Sequence, residues 1–222
     1  MQDYNEFYLY LIRHGQTAVN AKGDTVGQTA ESPLTERGQL QARLLGERLA
    51  YQEKVTFDKV FASNYVRAHD TARIVIGDNQ PIIVAPELRE YSAGDWTGGT
   101  RDQIYNVPTL LRMAAMTNAF LPPNGESLHM VERRASVWLE ENVLYNNLVK
   151  EEASRRHVKK LPSQNIFVFS HGMTIKCLLH YIMGFDQSFT WKITLENTSI
   201  SKLYFDNKGW RLLTINDHAH LL

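Results

Sequence analysis

The sequence predicts an α/β fold, a three-layer α/β/α arrangement around a mostly parallel sheet. Two observations carry this. Short apolar runs rich in aromatic and β-branched residues, at 7–12, 58–63, 81–85 and 165–170, alternate with amphipathic stretches, as strands joined by crossover helices do. Two of the runs also end alike: Phe7–Ile12 runs into Arg13-His14-Gly15, and Asn165–Ser170 runs into His171-Gly172. Ligands of an open parallel sheet bind outside the carboxyl ends of its strands. Adjacent strands here would bring both histidines to one pocket.

Composition bounds the class. The chain has 222 residues, 43% of them hydrophobic, enough for a single domain over 1–222 with a sizeable core. Lys+Arg and Asp+Glu balance at 24 each, which argues against a general nucleic-acid or membrane-surface role. The one cysteine, Cys177, rules out an intrachain disulfide and lies in an apolar stretch, where it reads as core. The residues Met1–Glu6 lack a basic, then apolar, leader pattern. No apolar run approaches the ~20 residues of a membrane span. The expectation is a cytoplasmic protein, with a homodimer open.

Taken in order, Phe7–Ile12 is a buried strand, and Gly15 lacks a Cβ, so a ligand can approach the backbone there. The loop from Gln16 to Ser32 is long enough to be functional. Thr35 caps a helix reaching about Ala50, with Leu40, Leu44, Leu45 and Leu49 on or near one face and Gly38 and Gly46 as weak points. A strand at 58–63 leads into a helix over 67–76, whose first turn holds Arg67. A third strand spans 81–85. Residues 91–164 are a mainly helical excursion that could roof a site. It opens with the shaped loop Tyr91–Gly99, continues with contacts from Met113, Met116, Phe120 and Leu121, and ends in a long helix from about 126 to 152 and a polar connection. A helix over 173–183, apolar on most faces, stops at Gly184. Thr198–Phe205 and Trp210–Ile215 form a hairpin at one sheet edge.

Four strand ends then offer Arg13-His14, Ser63 with Arg67, Glu90, and His171 to one edge. Arginine presents paired donors to phosphate oxygens. A neutral histidine is a nucleophile towards phosphorus. A carboxylic acid such as Glu90 could protonate a leaving oxygen and later accept a proton from water.

At these residues the chain resembles the histidine phosphatase superfamily, also called phosphoglycerate mutase-like. The matching segments, in order, are Arg13-His14-Gly15-Gln16-Thr17 with Asn20, Pro33-Leu34-Thr35 with Gly38, Ser63 with Arg67-Ala68 and Thr71-Ala72, Leu88-Arg89-Glu90 with Gly94-Asp95-Trp96 and Gly98, Gly125-Glu126-Ser127, and Ser170-His171-Gly172. The resemblance implies that His14 is transiently phosphorylated. Arg13, Arg67 and His171 would hold phosphoryl oxygens, assisted by Asn20 and the loop near Gln28, with Thr17 and Gly172 as further motif positions. Glu90 would donate the proton. No metal or cofactor is implied, because arginines supply the positive charge. The chain departs from the pattern at Met130, where an acidic residue is frequent, at Thr97 and at Met173.

A phosphatase acting on a small phosphorylated metabolite is the expectation. A mutase needs extra basic residues over the pocket, and Tyr91-Ser92-Ala93 after Glu90 differs from the mutase pattern. Arg101 and Arg112 could serve a second phosphate, although surface charge is the favoured reading. A non-catalytic phosphate-binding domain would have lost a core residue, and none is lost. A metal hydrolase built on His14, His171 and Glu90 is disfavoured by the flanking arginine.

Overall fold

The computed structural model describes residues 6–23, 26–27, 29–78, 80–145 and 163–222. Six strands form one sheet in the order β3-β2-β4-β1-β5-β6. They are β1 (Phe7–Arg13), β2 (Lys59–Ala62), β3 (Ile83–Val84), β4 (Gln164–Ser170), β5 (Ile200–Asp206) and β6 (Gly209–Asp217). The first four run parallel, and β5 and β6 add an antiparallel hairpin beside β1. The strand order reverses beside β1, where β4 and then β2 lie on one side and β5 on the other.

Alternate residues of the central strands feed two cores, as a period of two requires. On one face Tyr10, Ile12, Phe167 and Phe169 pack with Ala42, Leu45 and Leu49 of α2 (Glu36–Glu47) and the turn after it, and with Ala72 and Val75 of α3 (Val66–Ile76). On the other, Leu9, Leu11, Ile166 and Val168 meet two later helices through Ala135, Trp138, Leu139, Ile175 and Leu178. The architecture is the expected three-layer sandwich. The shorter helices are α1 (Ala18–Lys22), α4 (Arg101–Ile104) and α5 (Val107–Met116). The second layer consists of α6 (Leu128–Leu139) and α7 (Gly172–Met183), and α8 (Phe189–Lys192) follows.

Several expectations need correction. The excursion is shorter than 91–164, because the apolar stripe of α6 is buried against the sheet, which makes α6 a layer helix. That helix ends at Leu139 and continues as a wider turn over Glu140–Tyr145; the expected stretch 146–152 and most of the connection after it lie outside the described residues. Of the four excursion contacts only Phe120 is buried, stacked on Trp96 at 5.6 Å; Met116 and Leu121 are exposed. Leu40 is exposed too, and α7 buries one side while Tyr181 faces solvent.

The glycines of α2 are close-contact positions, which outweighs their low helix propensity. A Cβ on Gly46 would lie 2.9 Å from the Val75 carbonyl of α3. A Cβ on Gly38 would lie 2.2 Å from the Gln16 carbonyl, and one on Gly15 would lie 2.5 Å from the Gly38 carbonyl. What approaches Gly15 so closely is therefore the first turn of α2, where a ligand was expected.

Candidate active site

Pairing of β1 with β4 sets the centre of the site. Arg13 stands opposite Ser170, so the next residue of each strand is a histidine. The His14 N–H donates to the Ser170 carbonyl at 3.0 Å, and the two imidazole centroids are 5.2 Å apart. Both rings are buried, at 2% and 0% exposure.

The surroundings of His14 decide its tautomer. Nδ1 lies 2.7 Å from the Gly15 carbonyl, which can only accept, so Nδ1 carries the proton and Nε2 keeps its lone pair. Nε2 accepts from Arg67 Nε at 3.3 Å. Burial, reinforced by the Arg13 and Arg67 charges, holds the His14 pKa well below the ordinary histidine value. The ring is therefore neutral and nucleophilic near neutral pH. Burial likewise lowers His171, with His14 and Arg67 adding to the effect. His171 Nε2 meets Ser63 Oγ at 2.9 Å, and that oxygen also accepts from the Tyr65 N–H at 3.2 Å.

Two guanidinium groups flank the pair. Arg67 enters from the first turn of α3, is completely buried, donates to the Thr29 carbonyl at 2.8 Å and lies over the Tyr65 ring. Arg13 donates to the Leu195 carbonyl. Arg13 Nε, Arg67 Nη2 and His171 Nδ1 are buried without a hydrogen-bond partner among the described residues. Leaving three such groups unpaired is costly, and a bound oxyanion would satisfy them.

Glu90 reaches the site from the irregular segment after β3. Oε1 accepts from the Tyr91, Met173 and Thr174 N–H groups at 2.9, 3.2 and 3.3 Å, the last two at the N-terminus of α7, where an anion is favoured. Oε2, the less engaged oxygen, faces the Arg13 side. Gly172 sits between them: a Cβ there would lie 3.7 Å from Arg13 Nε and 3.8 Å from Glu90 Oε2.

The other expected residues fall at varying distances from this centre. Thr17 is the buried N-cap of α1, and Asn20 closes its capping box. Asn20 also accepts from Asn197 at 3.4 Å. Gln28 lies outside the described residues. Arg101 is exposed, over the Tyr105 ring, and takes no part in the hydrogen bonds that tie the cluster together. Sequence reasoning missed the loop before β5, where Asn197 Nδ2 donates to the His14 carbonyl at 2.9 Å; a polar run before an apolar strand was its one faint signal. It also missed Arg134, whose only signal was a charge on the flank of an apolar helix stripe.

A buried neutral histidine between two arginines, at the switch in strand order, defines an α/β protein that handles a tetrahedral oxyanion. Residues 9–218 match the family described as the histidine phosphatase superfamily (branch 1), and the chain belongs to it. It is 29% identical over 215 residues to the adenosylcobalamin/alpha-ribazole phosphatase of Escherichia coli strain K12, covering 95% of this chain and 96% of that protein. Among solved structures it is similar to a mycobacterial glucosyl-3-phosphoglycerate phosphatase in complex with VO3, with TM-score 0.75, 27% identity and coverage of 95% and 98%. It is also similar to a protein described as mycobacterial hydrolase 1, with TM-score 0.78, 27% identity and coverage of 96% and 99%.

Among the described residues no helix is long and apolar enough to cross a membrane, and no group of three or more His, Cys, Asp or Glu side chains is placed to hold a metal ion. A cavity of about 800 Å³ lies between the β3 edge and α6, away from the two histidines. It is lined by Ile83, Val84 and Val137 among others and contains none of the catalytic candidates.

Proposed function

We propose that the protein is a metal-independent phosphomonoesterase that hydrolyses a small phosphorylated metabolite through a phosphohistidine on His14. The observation that carries the proposal is the neutral His14 with its Nε2 lone pair beside three buried, unpartnered nitrogens, two of them guanidinium donors. In the first step Nε2 attacks phosphorus and the ester oxygen departs with a proton from Glu90. In the second, water attacks the phosphohistidine and gives a proton to the Glu90 carboxylate. The products are the alcohol and inorganic phosphate, and both the His14 lone pair and the Glu90 proton are restored.

Arg13 Nε and Arg67 Nη2 bind the non-bridging oxygens. Ser63, already accepting from Tyr65, gives its hydroxyl hydrogen to His171 Nε2, so Nδ1–H becomes the third donor. Donors already aimed at the transferring group lower the barrier by electrostatic preorganisation. Asn20, Thr17, Gly172 and the loop near Gln28 complete the pocket in this reading, and Arg101 stands at the substrate's outer end.

Hydrolysis is favoured over mutase transfer because Tyr91-Ser92-Ala93 follows the acid. Full-length relatives carry both phosphatase and phosphoglycerate mutase names, so the preference for hydrolysis rests on that segment. The proposal also keeps the enzyme in the cytoplasm, with a homodimer open and no nucleic-acid partner, on the strength of balanced charge and one buried cysteine.

The test is His14→Ala together with quenching of wild-type turnover in alkaline denaturant. The variant is expected to fold and to lose turnover, and the wild-type protein to carry acid-labile phosphate. Full activity in the folded variant would refute the assignment.

A further inference from the structure

We propose that Arg134, paired with Glu126, is a positioning residue for Glu90, fixing the backbone of residues 87–92 so that the carboxyl stands at the leaving oxygen. The proposal rests on the reading of Glu90 as general acid.

The segment that carries Glu90 has little regular structure of its own. After one short turn at Pro86–Leu88 it runs on with no sheet partner. Its backbone acceptors must therefore be satisfied by something else. Side chains do this at four consecutive carbonyls. Ser170 Oγ donates to Leu88 O at 2.8 Å, and Thr174 Oγ1 donates to Arg89 O at 2.5 Å. Arg134 takes the remainder: Nη1 donates to Glu87 O at 2.5 Å and to Arg89 O at 2.9 Å, and Nη2 donates to Glu90 O at 3.2 Å.

Glu126 locks this arrangement. It accepts from Arg134 Nε at 2.9 Å and from Nη2 at 3.0 Å. The same carboxylate accepts from the Ser92 N–H at 3.1 Å, while the Glu126 N–H donates to the Ser92 carbonyl at 2.9 Å. Glu90 thus lies between two anchored ends, Glu87 and Ser92, that a single ion pair joins. Burial works to raise the Glu126 pKa, and the Arg134 bonds outweigh it and hold the group ionised. Arg134 projects from α6, whose Val131, Ala135 and Trp138 are buried, so the clamp stands on a rigid element.

All five N–H donors of the guanidinium are spent within the protein, which leaves none for a substrate. Its role is therefore positional. Lysine, a point charge with three donors, cannot span three carbonyls and a carboxylate at once.

The experiment compares kcat/KM for a simple alkyl phosphate and for p-nitrophenyl phosphate in Arg134→Lys, Glu126→Gln, Glu90→Gln and the Glu90→Gln/Arg134→Lys double variant. Rates are normalised to the burst amplitude, so that only folded, competent sites count. An alkoxide needs the acid's proton, whereas a nitrophenolate leaves largely without it. Misplacing the carboxyl is expected to slow the alkyl substrate on the order of 10²-fold, with a much smaller effect on the nitrophenolate burst. In the Glu90→Gln background Arg134→Lys should add little further selectivity.

Equal loss for both substrates in Arg134→Lys and Glu126→Gln, while Glu90→Gln stays selective, would overturn the clamp and leave the general acid standing. Equal slowing by Glu90→Gln itself would remove the acid assignment, and the clamp with it. Should Arg134→Lys fail to fold, Glu126→Gln, which keeps the side-chain shape, decides between the same outcomes.

Discussion

Alanine at Gly38 should disable the enzyme from a position that touches no substrate. A Cβ there would sit 2.2 Å from the Gln16 carbonyl oxygen and 2.8 Å from the Gln16 nitrogen. Both are backbone atoms, so no side chain can swing aside, and the gap must open by about 1 Å to reach ordinary contact. Gln16 is also pinned where it stands. Its carbonyl accepts from the Thr35 N–H at 2.9 Å and its N–H donates to Gln41 Oε1 at 2.9 Å. Two residues upstream is His14, whose Nδ1 bonds the Gly15 carbonyl. Displacing the loop therefore moves the nucleophile and weakens the bond that sets its tautomer. A misplacement of about 1 Å costs on the order of 10²-fold in rate, and forced overpacking costs about 1–3 kcal/mol of stability. The assay is kcat/KM with p-nitrophenyl phosphate beside thermal unfolding. Gly184→Ala is the control: Gly184 ends α7 with φ 62 and open space around its Cβ position. That variant should lose about 1 kcal/mol of stability and keep its activity. Wild-type kcat/KM in folded Gly38→Ala would refute the reasoning.

Three further outcomes are expected. Glu90→Gln should slow alkyl phosphate cleavage by roughly 10²–10⁴-fold, and with p-nitrophenyl phosphate it should show a burst of nitrophenolate followed by slow turnover as phosphohistidine accumulates; absence of the burst would contradict a second-step role. EDTA should leave kcat unchanged because Arg13 and Arg67 supply the cluster's positive charge, and a loss restored by zinc or magnesium would overturn the metal-free mechanism. His14 and His171 are held well below the ordinary value of 6.5, and burial brings His220 down to about 4. The unfolded chain therefore binds more protons than the folded one below about pH 6.5, so stability is complete above that pH and falls as the pH drops towards 4. Tm measured between pH 7 and 5 should decline, and should decline less steeply in His220→Gln; a flat profile in the wild-type protein would count against buried neutral histidines.

Much of the site was legible because its residues sit at the ends of strands that announce themselves. Arg13-His14 and His171 each follow an uninterrupted apolar run, and Arg67 follows a short strand and opens a helix. The pocket corner built by Asn197 and Leu195 was not legible, because a polar loop before a hairpin carries no periodic signal. The short reach of the excursion was hidden for a related reason. An apolar stripe shows that a helix buries one face, and α6 could have buried it against a cap or against the sheet.

What the sequence by itself determined was local. Period-two strands, the Thr35 cap and the Gly184 stop all follow from interactions within a few residues, which propensity and capping chemistry govern. The tertiary structure alone decided which groups meet. The β1–β4 register brings His14 beside His171 across about 157 residues of chain. The approach of Gly15 to the Gly38 carbonyl, and of Gly38 to the Gln16 backbone, turns one apparent weak point of α2 into close packing against the loop that follows His14. Arg134 reads in the sequence as one more helix-surface charge. It becomes the anchor of the acid segment because an irregular stretch of backbone with no sheet partner takes its hydrogen-bond donors from the side chain the fold brings alongside.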